Sequence, residues 1–103
     1  MTLWNSGIST TGRQKIAGIY RMQTDHGFPV DMSYELAKEK GYDVDWVEAF
    51  LSALERHHSE YETLVEQAKI LDAEYAEECE RGFRFGCRIF GSLEKFREYQ
   101  DEK

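Results

Sequence analysis

One spacing in the sequence is typical of a metal site. Glu55 and His58 are three residues apart, and Glu62 follows one helical turn beyond His58. On a helix, a Glu-x-x-His pair presents both ligands to one side, as in four-helix di-iron sites, which need a second such pair and two further carboxylates. No second Glu-x-x-His occurs in the chain. The trio is therefore a weak metal candidate, and we expect neither a metal nor any other cofactor.

Two other features have chemical potential. Cys79 and Cys87 are predicted to be reduced thiols, because a disulfide between them would need a sharp turn at Gly82 or Gly86. The glycine-containing stretch GFRFGCRIFG, residues 82–91, lacks the Lys-Ser/Thr pair that ends a phosphate-binding loop. No nucleophile, base and orienting residue can be grouped from the sequence. The sequence therefore predicts a protein that is not an enzyme.

Charge is distributed unevenly along the chain, whose net charge is −7. Residues 1–24 hold three bases and no acid, residues 25–80 hold 16 acids and 4 bases, and residues 81–103 hold 6 bases and 4 acids. The acidic middle disfavours nucleic-acid binding, which depends on neutralising phosphates. The basic ends could contact an anion or the acidic part of a second copy. The candidates for such contacts are Arg13, Lys15, Arg21, Arg81, Arg84 and Arg88.

Length and composition indicate one small helical domain over residues 1–103. The single proline and the many Glu, Lys, Leu and Ala residues favour an all-α fold. No apolar run approaches the roughly 20 residues that span a bilayer. The first residues lack the basic and apolar segments of a signal peptide. We therefore expect a cytoplasmic protein without membrane contact.

The spacing of apolar residues predicts about five helices. Their expected bounds are 9–27, 31–40, 43–58, 60–80 and a last helix that starts within 84–92. The residues expected to face inward from the second helix are Met32, Leu36 and Ala37. The first three helices would form a three-helix unit over 9–58, followed by a longer helix and a C-terminal helix in an extension over 60–103.

Residues 81–91 fit two patterns. Phe83, Phe85 and Cys87 alternate with more polar residues, which is the period of a strand. A lone strand would lack a pairing partner in this chain, unless it paired across a dimer. A turn at Gly82 followed by the last helix is therefore favoured. The inward residues of that helix would be Ile89, Leu93, Phe96 and Tyr99.

The stretch ELAKEKGYDVDWVEAFL, residues 35–51, resembles the helix-turn-helix superfamily. Ala37 is the small residue where two helices would cross, and Gly41 would take the positive-φ turn between them. The apolar residues that would close the core are Tyr42, Val47 and Phe50. The resemblance covers about 20 residues, or about 50 with the first helix, and implies that the second helix of the motif reads DNA.

The outward face of that second helix carries Asp43, Asp45 and Glu48. A DNA-reading helix presents basic or neutral polar side chains, whereas these carboxylates would repel phosphates. Three interpretations stay open. The acids form a solvated helix start with Asp43 as the N-cap, they dock a basic protein, or they imitate DNA phosphates. The last would resemble small acidic phage-encoded inhibitors in size and charge.

Taken together, these patterns predict a non-enzymatic acidic protein that acts through protein–protein interaction, as a regulatory or a phage or mobile-element accessory protein. The interaction face would be Asp43, Asp45 and Glu48, and the partner could be a second copy in a homodimer. The residues predicted for self-association are Tyr61, Leu64, Ala68, Leu71, Tyr75, Phe83 and Phe85. The alternatives are a helix-turn-helix transcriptional regulator and an acidic DNA mimic.

Overall fold

The molecule combines a small β-sheet with α-helices. The computed structural model describes residues 3–9 and 11–90, with side chains as far as Phe85, and this part of the chain contains three strands and five α-helices. The elements are β1 (Trp4–Ile8), β2 (Gln14–Ala17), α1 (Ile19–His26), α2 (Val30–Glu39), β3 (Asp43–Val44), α3 (Trp46–Arg56), α4 (Tyr61–Leu71) and α5 (Ala73–Phe90). The predicted all-α fold is therefore wrong, and the chain is mixed α/β. Over the same residues, no helix has the length and apolar character needed to cross a membrane.

The strand β2 lies in the first half of the predicted first helix, and it pairs antiparallel with β1 to form a hairpin. Trp4 lies opposite Ala17, and the helix begins only at Ile19. Gly12 and Gly18 have φ values of 86° and 96°. This left-handed backbone turns the chain between the strands and again before α1, and it is incompatible with a continuous helix.

The third strand separates α2 from α3. β3 pairs parallel with β2, and the Asp45 N–H donates to the Ile16 carbonyl at 2.9 Å. The third helix therefore starts later than predicted, with Asp45 rather than Asp43 as its N-cap. The Asp45 side chain accepts a hydrogen bond from the Glu48 N–H at 3.1 Å, which satisfies one of the free donors of the first turn.

The connection between α2 and α3 differs from the turn of a helix-turn-helix motif. Gly41 takes a φ of 81°, as predicted, but β3 lengthens the connection to residues 40–45. α2 packs mainly on α1 and β3. Its buried residues are Val30, Ser33 and Ala37, whereas Met32 and Leu36 are exposed. The expected inward orientation of Met32 and Leu36 is wrong.

Aromatic rings join the helices in the core. Trp46 stacks on Tyr34 and on Phe50, with ring centroids 6.1 Å apart in both pairs. Phe50 meets the edges of Tyr61 at 6.1 Å and Phe83 at 6.3 Å. These contacts connect α2, α3, α4 and α5 through one ring cluster.

The predicted long fourth helix is interrupted at Asp72. A 3₁₀ turn, His58–Glu60, precedes α4, and Asp72 has the non-helical dihedrals φ −146° and ψ 67° between α4 and α5. α5 then continues through Gly82 to Phe90, so the predicted turn at Gly82 and a strand in this segment are both wrong. Part of the predicted last helix lies outside the described residues. Its expected inward residues Leu93, Phe96 and Tyr99 are in that part.

Candidate interaction groove

The acids predicted as an exposed interaction face lie largely inside the molecule. Asp43 is 2% exposed and Asp45 is 9% exposed, so the expected exposure of these two residues is wrong. The side chain of Glu48 is also mostly covered. All three carboxylates are directed toward the N-terminal hairpin and the chain that follows it. We call Asp43, Asp45 and Glu48 the carboxylate clasp.

Asp43 has the most partners in the clasp. Its carboxylate accepts hydrogen bonds from the hydroxyls of Ser9 and Thr11, both at 2.6 Å, and from Lys38 Nζ at 3.0 Å. Burial alone would raise the pKa of Asp43, but these three donors outweigh it and hold the pKa below its ordinary value. The group therefore stays ionised at neutral pH and fastens the hairpin turn to β3.

The other two members of the clasp bind adjacent parts of the chain. Asp45 accepts a hydrogen bond from the Ser6 hydroxyl at 2.7 Å. Glu48 accepts one from the Gly18 N–H at 2.8 Å and lies 3.9 Å from Arg21 Nε. These acids therefore form contacts within the molecule. Asp43 and Asp45 do not lie at the surface, where both the DNA-reading and the phosphate-imitating interpretations require them.

The predicted basic contacts do not form one site. Arg21 lies over the Trp4 ring, 5.7 Å from its centroid, in addition to its approach to Glu48. Lys15 is half-buried beside a small cavity, and Arg13 is exposed at the hairpin turn. The side chain of Arg88 lies outside the described part of the structure. Arg81 and Arg84, on α5, line a different cavity from Lys15, although Gly82 borders both cavities.

The small cavity beside Lys15 has a volume of about 220 Å³. Tyr75 and Cys79 line it, and burial raises the pKa of the Cys79 thiol to about 12. Because the thiolate is the reactive form, a thiol with this pKa is a poor nucleophile near neutral pH. This cavity therefore offers no activated cysteine.

Most of the predicted self-association stripe packs within the molecule. Leu64, Ala68 and Phe83 are buried in the core. Tyr61, Leu71 and Tyr75 pack against that core. Phe85 differs, since 57% of it is exposed. The predicted stripe is thus used mainly for contacts between helices of one chain.

A larger open groove lies between the end of α3, the start of α4 and the second half of α5. Its volume is about 1300 Å³. The lining residues are Leu54, His58, Ser59, Tyr61, Glu62, Arg81, Gly82, Phe83, Arg84 and Phe85. Tyr61 lies 6.0 Å from Phe83 between ring centroids, which shows that α5 runs back along α4 from Asp72. We call this feature the α4–α5 groove.

The charge of the α4–α5 groove comes mainly from α5. Glu80 forms two ion pairs. Its carboxylate lies 2.8 Å from the Arg84 guanidinium and 2.5 Å from Lys69 Nζ. Burial would raise the pKa of Glu80, but the two cations outweigh burial and lower it. Arg81 is exposed and forms no ion pair with any residue in the described ranges. The groove therefore combines apolar walls with a cationic rim.

The structure does not assemble the candidate metal ligands. His58 and Glu62 line the α4–α5 groove, but Glu55 is not among its lining residues. Among residues 3–9 and 11–90, no group of three or more His, Cys, Asp or Glu side chains is arranged to hold a metal ion. The Glu-x-x-His spacing here marks the end of α3 and the 3₁₀ turn that follows it.

The groove combines residues that the sequence singled out with others that it did not. Tyr61, Phe83 and Phe85 were predicted for self-association, and Arg81 and Arg84 for anion contact. Leu54, at the end of α3, was not predicted to contribute, although its place on the apolar face of that helix was a usable signal. Comparisons of the chain with protein-family models, curated proteins and solved structures found no match.

Proposed function

We propose that the protein is a non-enzymatic interaction module that binds another protein surface in the α4–α5 groove. The observation that carries this proposal is the exposure of Phe85 beside Arg81 and Arg84 in a groove with apolar walls. Aromatic and arginine side chains are enriched at the centres of protein interfaces, because they combine large apolar contact with directional hydrogen bonds.

The groove favours a partner that is apolar at its centre and acidic at its edge. An apolar side chain would be desolvated against Leu54 and Phe85, and a carboxylate would meet Arg81 at the rim. The acidic backbone of DNA or RNA would also meet Glu62 in the groove and the acidic surfaces of α4 and α5, which repel phosphates. A protein surface is therefore the better match.

Site-specific photo-crosslinking tests the proposal. A photoreactive phenylalanine analogue is placed at position 85 of the full chain. A control variant of the same chain carries the analogue at position 32, because Met32 is exposed but lies outside the groove. We expect an intermolecular protein adduct from position 85 and none from position 32, and we expect the Arg81→Glu and Arg84→Glu changes to suppress it. The crosslinked protein is then purified and the interaction reconstituted.

The contradictory result is equally specific. Intermolecular adducts that form equally from both positions, or none from position 85, would mean that the groove does not receive another protein. Circular dichroism of each variant shows whether the fold is kept, so a loss of crosslinking in a folded variant reports on the groove itself.

A further inference from the structure

Ile70 is an apolar side chain on the acidic outer face of α4. It is 84% exposed, whereas Leu64 and Val65 of the same helix are buried. Residues four and eight positions apart lie on the same side of a helix, so Ile70 shares its face with Glu66 and Glu62. This face projects one large apolar group among carboxylates.

The hairpin of α4 and α5 has different chemistry at its two ends. At the closed end, on either side of Asp72, the exposed acids Glu66 and Glu74 are each four residues from Ile70 in the sequence. At the open end, the α4–α5 groove presents Phe85 and Arg81. One end therefore offers an apolar group beside acids, and the other offers an apolar recess whose lining holds two bases, Arg81 and Arg84, and one acid, Glu62. Each end complements the other end of a second copy.

We propose that the α4–α5 groove binds Ile70 of a second copy in a two-fold symmetric dimer, with the two α4–α5 hairpins antiparallel. This inference rests on the proposed function and names its partner. Two-fold symmetry brings the closed end of each hairpin over the open end of the other, so two identical contacts form together. In each contact, Ile70 enters the groove near Phe85, and Glu74 meets Arg81 of the other copy.

The length of α4 fits this arrangement. Glu62, which lines the groove, and Ile70 are eight residues apart, or about 12 Å along a helix. A two-fold axis beside Glu66, halfway between them, therefore brings Ile70 of each copy opposite the groove of the other. The two Glu66 side chains then lie near the axis and repel each other. Glu66→Gln should consequently strengthen the dimer.

Sedimentation velocity of the full chain over a wide concentration range tests the dimer. We expect a reversible monomer–dimer equilibrium. Ile70→Glu should weaken it by at least about tenfold, because it places a carboxylate in an apolar recess. Met32→Glu is the matched control, since it changes an exposed apolar residue of α2 outside the groove and should leave the dissociation constant unchanged.

Charge reversal separates a direct contact from an indirect effect on folding. Arg81→Glu and Glu74→Arg should each weaken the dimer by about tenfold, since each change places two like charges next to each other in both contacts. The double variant restores opposite charges in both contacts and should recover most of the affinity. Recovery in the double variant cannot come from a folding defect. Circular dichroism and melting temperature confirm that the single variants remain folded.

Three outcomes would contradict the proposed arrangement. A monomer at every concentration would rule out a second copy as the occupant of the groove. A dimer insensitive to Ile70→Glu would use another surface, and failure of the double variant to recover would remove the Arg81–Glu74 contact. Crosslinking of position 85 to a different protein, combined with a monomer in sedimentation, would retain the proposed function and reject only this partner.

Discussion

At the scale of single residues, the acidic side chains of β3 and the start of α3 act as internal ligands. Asp43 binds two hydroxyls and an ammonium, and Asp45 combines a helix cap with a bond to Ser6. Buried ionised groups are tolerated only when their hydrogen-bonding capacity is satisfied. These contacts explain how a chain with a net charge of −7 keeps two carboxylates in its interior.

Asp43→Asn should therefore destabilise the protein by about 2–4 kcal/mol, because it removes the charge that Lys38 pairs with and weakens both hydroxyl contacts. Chemical unfolding at neutral pH measures this loss. Glu39→Gln is a suitable control, since Glu39 is an exposed acid of α2. A free energy of unfolding that is the same in Asp43→Asn and in the control would contradict the role assigned to Asp43.

The wild type and Asp43→Asn should also differ in how their stability depends on pH. The pKa of Asp43 is lower in the folded state than its ordinary value of 3.8, so its ionisation stabilises the fold above that value. This stabilisation is lost as the pH falls from 3.8 through the lowered pKa. The difference in free energy of unfolding between the wild type and Asp43→Asn should shrink in that range. A difference that stays constant in acid would argue against an ionised Asp43.

At the scale of secondary structure, the helices were easier to predict than the sheet. The apolar spacing located α2 and α3 to within a few residues, and Gly27 and Gly41 take the left-handed backbone expected at the ends of α1 and α2. The two strands of the hairpin pair locally, but the side-chain bonds that anchor the hairpin to the rest of the molecule come from residues far away in sequence. The Ser9 hydroxyl binds Asp43, 34 residues later, and no local pattern reveals such a bond.

The α4–α5 segment shows a different reason for error. Phe83 and Phe85 alternate like the residues of a strand, yet Phe83 is buried and Phe85 is exposed on one helix. Positions two apart point to nearly opposite sides of a helix, so the same spacing gives one buried residue and one exposed residue. The sequence therefore predicted which residue types line the groove. It did not predict that these residues lie together, because that depends on the break at Asp72 between α4 and α5.

Packing of α2 gives a prediction at this scale. Ala37 is buried against the core, so Ala37→Leu should lower the free energy of unfolding by about 1–3 kcal/mol through overpacking. The adjacent Leu36 is exposed, and Leu36→Ala should change stability by less than about 0.5 kcal/mol. Thermal melts of both variants measure the contrast. Similar losses in both would mean that α2 is rotated relative to its described orientation.

At the scale of the whole molecule, Phe50 is the point where the helical layers meet. It is fully buried, and its ring contacts Trp46, Tyr61 and Phe83, which belong to three different helices. A side chain shared by several elements couples their stability, so the core should unfold as one unit. The α4–α5 groove depends on the same ring contacts through Tyr61 and Phe83.

Phe50→Ala should therefore cost about 3–5 kcal/mol, because it removes a large ring and leaves a cavity among three helices. Near-ultraviolet and far-ultraviolet circular dichroism should show one coincident unfolding transition at a lower midpoint. Phe85→Ala is the control, since its ring is exposed and should contribute little to folding. Separate transitions of α5 and the remaining helices would contradict a shared core.

The carboxylate clasp also bears on the order in which the chain folds during synthesis. Ser6 in β1 binds Asp45, which the ribosome adds 39 residues later. At roughly 5–20 residues per second, the intervening synthesis takes about 2–8 s. An isolated two-stranded hairpin is marginally stable in water. β1 and β2 therefore emerge from the ribosome before their anchors emerge, and the N-terminal strands join the fold only after α2 and β3 have left the ribosome.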